Sequence, residues 1–246
     1  RQIVVKAGKR DIVNEAFRVL RTNFEFTIGT HPEQNVIVFT SLNQGSGKSH
    51  LAANMAMSLA IKKKKVLLID GDLRHGSASM LIGSPGEGLS DYLNGRIADI
   101  HDILHKGEES GLVKYFDVIP IGTIPPNPTE LLFTPLLEQM IRQMRQEYDY
   151  VFIDCPPIEV VADTPIYEQF ADRTIFVVRA GLMERSMLPE IDALYKEKKF
   201  KNMTMILNAT KARGGRYGSH YGYGYGYGYG YGYNYNKEKN GGQNLK

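Results

Sequence analysis

The clearest chemistry in this sequence lies in six residues, Gln44-Gly45-Ser46-Gly47-Lys48-Ser49. Glycines let a backbone turn so that successive N–H groups face one anion. A helix starting at the same place adds a field that favours negative charge. Lys48 can reach the outer phosphates of a nucleotide, and the Ser49 hydroxyl can ligate Mg²⁺. Gln44, Gly45, Ser46, Gly47 and His50 complete the expected phosphate-binding set. The full GxxxxGK[ST] pattern is not met, because Leu42 stands at its first glycine. A bare GKS can be a simple tight turn; between VIVFT and an Ala-rich run it reads as a phosphate loop.

Carboxylates come next. Asp70 ends the run VLLID, and Asp72 and Arg74 follow in D-x-D-x-R spacing. Asp154 ends YVFID, ahead of Pro156 and Pro157. An acid at the end of a buried strand beside a phosphate loop supports Mg²⁺ and its waters. With two such strands, one carboxylate can serve the metal while another accepts a proton from an attacking hydroxyl. Arg74 could balance negative charge there. The plainer alternative is that these acids only cap helices or close turns.

The elements that must position these groups follow from hydrophobic periodicity. A helix is expected over 11–28, with Ile12, Ala16, Val19, Leu20 and Phe24 on its apolar face. Strands are expected at 36–40, 66–70, 116–121, 150–154, 174–178 and 203–207. Helices are expected at 49–62, 89–94, 99–106, from a Thr129 cap to 146, 163–170 and 187–198. Short apolar strands separated by helices mark a parallel sheet covered on both faces. The expected fold is therefore α/β, a three-layer doubly wound, mostly parallel sheet, with ligands beyond the C-terminal strand ends. Arg179 and Asn208 follow two of those strands; a resemblance to other P-loop proteins, in which residues at such places often contact the adenine base, makes them candidates for that contact. A strand-end turn explains them equally well.

Residues 1–212 carry this pattern, and residues 213–246 do not. Gly and Tyr alternate from Tyr221 to Tyr233 with no aliphatic residue, a composition expected to be disordered. Residues 211–246 also hold a net charge of +5 against +3 for the whole chain, so the surplus belongs to the tail. No nucleic-acid partner is expected from it. The single cysteine, Cys155, excludes an internal disulfide and fits a reducing compartment. No window reads as a membrane span or a signal peptide. The chain opens on Arg1 without Met, so a membrane segment could lie upstream. Lys62–Lys65 read as a solvated helix end, or as a patch for an anionic surface. The histidines show no zinc spacing.

Together, SLNQGSGKS, VLLIDGDLR, VFIDCPP and a C-terminal tyrosine cluster, in that order, resemble the bacterial tyrosine kinases of capsule and exopolysaccharide regulation. The resemblance covers the chain from about residue 11. It implies a P-loop NTPase fold with ATP and Mg²⁺ as cofactors. Lys48 and Ser49 would bind phosphate and metal, Asp72 and Asp154 would support the metal, and Asp70 would be the base for a tyrosine hydroxyl. The phosphate acceptors would be Tyr217, Tyr221, Tyr223, Tyr225, Tyr227, Tyr229, Tyr231, Tyr233 and Tyr235. Glu15, Arg18 and Arg21 share one helical face. Spacing alone suggests a solvated stripe; the resemblance makes it an oligomer interface, with phosphate passed between neighbours in a ring. It further implies a membrane-spanning polysaccharide chain-length partner, fused upstream or separate, a phosphatase, and a place at the cytoplasmic face of the bacterial inner membrane. The related partition and septum-site ATPases carry an early lysine in the loop, where this chain has Asn43. A nucleotide-switched ATPase of that type, or a module that binds nucleotide without turnover, remains the alternative.

Overall fold

A computed structural model describes residues 3–28, 31–159 and 163–210. The nine tail tyrosines lie outside the described residues, and so does the expected boundary at 212/213. Six parallel strands form one sheet: β1 (Val36–Thr40), β2 (Val66–Asp70), β3 (Phe116–Ile119), β4 (Tyr150–Asp154), β5 (Arg173–Arg179) and β6 (Thr204–Asn208), in spatial order β3-β2-β4-β1-β5-β6. Each strand is an almost unbroken run of buried residues apart from the edge strand β6, as a sheet covered on both faces requires. The expected doubly wound fold is the one observed, and the sheet is parallel throughout.

Alternation along the strands sorts side chains to two layers. Ile37, Phe39, Leu68, Phe152 and Val177 face α1 (Ile12–Ile28) and α2 (Lys48–Ala60). Val36, Val38, Leu67, Ile69 and Ile153 face α3 (Leu89–Leu93), α5 (Pro135–Glu147) and α6 (Asp163–Glu168). A smaller cluster joins Phe176 and Val178 to α7 (Leu188–Lys196) through Ile191. The alanines of α2 leave no bulk between helix and sheet, and nearly the whole helix is buried.

Several boundaries differ from expectation. The helix expected from Thr129 to 146 is two helices, α4 (Pro128–Leu131) and α5, because Pro135 cannot donate to a continuing ladder and starts a new helix. Thr129 lies inside α4 instead of capping it. The helix expected at 99–106 is a single 3₁₀ turn, Ile100–Ile103, and an unexpected 3₁₀ turn occupies Ser79–Ile82. On α1 the inward residues are Phe17, Phe24 and Ile28, whereas Ile12 and Val19 are exposed. The aromatics win that face because they fill more of the gap above Phe152, which Phe24 meets edge-on at 5.7 Å between centroids.

Candidate active site

All six strands run the same way, so Thr40, Asp70, Asp154, Arg179 and Asn208 end at one rim of the sheet. β1 lies between β4 and β5, and the order reverses beside it, which opens a crevice beyond its C-terminal end. A cleft of about 410 Å³ lies there. Gly45 and Gly47 take φ of +80° and +95°, a left-handed conformation that fits glycine. A Cβ on Gly47 would sit 2.3 Å from Asn208 Nδ2, so the loop tolerates no side chain there. No side chain caps the first turn of α2, which starts at Lys48 and leaves that helix end to an anion.

Lys48, Ser49, Asp72 and Asp154 line this one cleft together with Gln44, Gly45, Gly47, His50, Arg74 and Arg179. Ser49, Asp72 and Asp154 offer only oxygen donors, the set suited to Mg²⁺. The glycine cradle and the oxygen set fit a magnesium nucleotide. Ser46 does not line the cleft; its hydroxyl donates to Asn43 O at 2.8 Å and tightens the loop.

Arg179 and Asn208 act on the loop itself. Arg179 Nη1 donates to Gly45 O and Asn208 Nδ2 to Ser46 O, both at 2.9 Å. Asn208 thus braces the loop backbone and lies outside the cleft lining, whereas Arg179 lines the cleft. Asn43, in the place of the related ATPases' lysine, donates to Glu159 Oε2 at 2.7 Å.

Asp70 departs from expectation. Its side chain does not line the cleft and the residue is 0% exposed. Ser79 claims Oδ2 through its N–H and its hydroxyl, both at 2.7 Å, while Oδ1 has no hydrogen-bond partner among the described residues. Asp154 is its register partner on β4. Burial, and then the Asp154 carboxylate, push the Asp70 carboxyl up to about 7, against the opposing pull of Ser79. The residue expected to face the substrate is thus under the floor, because the last residue of β2 still belongs to the sheet and the Ser79 turn covers it.

The interface stripe is also partly spent within the chain. Arg21 Nη1 donates to Ser58 O at 2.9 Å on α2, and its side chain is 12% exposed. Arg18 pairs with Glu15, which remains open at 62%. Two residues missed by the sequence reading bear on the cleft, His75 from its lining and Asp163 from behind it. His75 Nδ1 lies 3.2 Å from Asp72 Oδ2, and a buried Asp163 pairs with Arg74. A histidine one residue past D-x-D-x-R was the available signal for the first; nothing in spacing gave the second.

A glycine-lined loop at the switch point of a doubly wound sheet, with acids on two neighbouring strand ends, defines a P-loop nucleotide-binding protein. The comparisons carry this further. The family described as AAA domain matches residues 34–199. Tyrosine-protein kinase CpsD of Streptococcus agalactiae is 34% identical over 208 residues, 84% of this chain and 87% of that protein. Tyrosine-protein kinase wzc of Salmonella typhimurium is 36% identical over 184 residues, 72% of this chain but 24% of that longer protein. The solved kinase domain of Escherichia coli tyrosine kinase ETK superposes with a TM-score of 0.76 at 31% identity, covering 92% of this chain and 86% of that one. This chain belongs to the bacterial protein-tyrosine kinase family.

Proposed function

We propose that this chain transfers the terminal phosphoryl group of ATP to tyrosines in the C-terminal tail of a neighbouring copy. The observation that carries the reading is the convergence of Lys48, Ser49, Asp72 and Asp154 on one cleft below a glycine loop. Lys48 and the loop N–H groups would hold the phosphates, and Ser49, Asp72 and Asp154 would hold Mg²⁺. When bound, magnesium ATP supplies the phosphoryl group and a charge that offsets the buildup on its oxygens. The tyrosine oxygen forms a bond to phosphorus as the bond to the leaving diphosphate breaks. The hydroxyl proton goes to Asp70, whose raised affinity suits it to take a proton near neutral pH. That step needs the Ser79 turn to move off the carboxylate; such contacts commonly form only in the substrate complex.

Glycines flanking each tail tyrosine remove bulk, so an extended segment can enter a cleft with little sequence demand. Each phosphate adds about −1.5 to −2 charges, so a few reverse the tail's net charge and loosen the assembly by repulsion. The exposed Glu15–Arg18 pair on α1 favours contact with a second copy in a homo-oligomeric ring, with Arg21 acting through α2. The longer relative supports a membrane-spanning co-polymerase partner, fused or separate, at the inner face of the bacterial membrane, with capsule or exopolysaccharide synthesis as the process regulated and a phosphatase as the reverse step. None of the helices described is long and apolar enough to cross a membrane.

Intact-mass analysis of dephosphorylated chain after incubation with Mg-ATP tests this. Gains in steps of about 80 Da, one phosphate each, should map to Tyr217–Tyr235 and vanish in Lys48→Met. ADP accumulating with no mass gain would instead favour the nucleotide-switched ATPase.

A further inference from the structure

One buried charge takes no part in the roles assigned above. Asp163 opens α6, and its side chain is 0% exposed. A carboxylate withdrawn from water must be paired and hydrogen-bonded to be tolerated. Asp163 Oδ2 pairs with Arg74 Nη1, and Oδ1 accepts from Thr129 Oγ1 at 2.6 Å. Arg74 Nη2 in turn donates to Thr129 Oγ1 at 2.9 Å. Guanidinium, carboxylate and hydroxyl thus close a ring of three hydrogen bonds. Its members come from three separate segments: the turn after β2, α4 and the start of α6.

Only one member of the ring reaches the phosphate cleft. Arg74 lines it, with a side chain 27% exposed, whereas Asp163 and Thr129 do not. Arg74 is also two residues from Asp72, and its N–H lies 3.3 Å from Asp72 Oδ1. An arginine at a cleft wall has many rotamers, and fixing one costs entropy at the moment it is needed. Here two guanidinium nitrogens are already held. A charge placed in advance is what stabilises a phosphoryl group in transfer, since little else is asked of the protein.

We propose that Asp163 and Thr129 are positioning residues for phosphoryl transfer, holding the Arg74 guanidinium at the cleft wall beside Asp72. The proposal rests on the kinase reading and adds two residues to it. It distinguishes a working support from a staple that merely joins three segments.

The test uses the full dephosphorylated chain. It measures phosphotyrosine formation at saturating Mg-ATP, and affinity for a fluorescent ATP analogue, in Arg74→Ala, Asp163→Asn, Thr129→Val and the two doubles with Arg74→Ala. Asp163→Asn should lower kcat about tenfold or more while analogue affinity stays within about twofold. Thr129→Val should lower kcat about threefold. Neither should add to the loss in Arg74→Ala, because both act through that side chain. Losses that multiply in the doubles, affinity falling in step with kcat, or no loss at all would each overturn the proposal. If Asp163→Asn fails to fold, the Thr129→Val cycle decides alone. An active wild type with multiplying losses sinks only this proposal; a wild type that makes no phosphotyrosine sinks the kinase reading with it.

Discussion

Asp70 and Asp154 end adjacent strands in register, and both are buried. Two carboxylates so placed cannot both ionise without cost, and Asp70, pushed up to about 7 by burial and by its neighbour, keeps its proton longer. In the unfolded chain the same carboxyl titrates near 4. Between about 4 and 7 the folded protein holds a proton that the unfolded chain has lost. The associated stability is therefore complete below about pH 4 and lost as pH rises through 7. Asn at this position cannot ionise. In the nucleotide-free and metal-free protein, Asp70→Asn should shrink the stability difference between pH 5 and pH 8 by on the order of 2 kcal/mol, read by chemical denaturation. An unchanged difference would mean that the carboxyl ionises freely where it sits. That Lys48, Ser49, Asp72 and Asp154 share one cleft was legible in the sequence, because each stands at a fixed spacing from a strand end. The burial of Asp70 was not, because what covers it is Ser79, in a stretch with no periodicity to read.

At the scale of elements, strand positions were legible because a parallel strand buried on both faces is a continuous apolar run. The helices were less so. Pro135 was a visible break, yet the apolar residues on either side suggested one helix. The partnership of Asp163 with Arg74 depends on α4, α6 and the turn after β2 meeting in space, which no local pattern encodes. The same holds for β5 and β6, whose ends brace the phosphate loop through Arg179 and Asn208. A neutral hydrogen bond of this kind contributes about 1 kcal/mol. Asn208→Ala should therefore weaken nucleotide binding about fivefold, measured by titration calorimetry, with little change in melting temperature, since β6 is an edge strand with Met205 and Leu207 already exposed. A large fall in melting temperature with unaltered affinity would show that Asn208 serves the sheet and not the loop.

For the whole molecule, the three apolar clusters among the described residues fall between Ile3 and Ile206. A chain ending at Thr210 should melt within about 2 °C of the full chain, because a segment of alternating Gly and Tyr without aliphatic residues has little with which to build a core, and changes outside a core rarely move stability by more than about 0.5 kcal/mol. It should gain no phosphate of its own while still phosphorylating an added Lys48→Met full-length chain, as intact mass would report. Loss of activity toward that added chain would place residues beyond 210 in the enzyme as well as in its substrate. The strand order also bears on how the protein is made. β1 and its loop are made before most of the sheet, but the strands that flank β1 are β4 and β5, and the braces on the loop are Arg179 and Asn208. A nascent chain therefore carries its phosphate loop through more than a hundred further residues before β4, β5 and the two braces exist. Competence to bind nucleotide should arise only as the tyrosine-rich segment itself begins to emerge, so that the catalyst and the acceptor proposed for it come into being almost together.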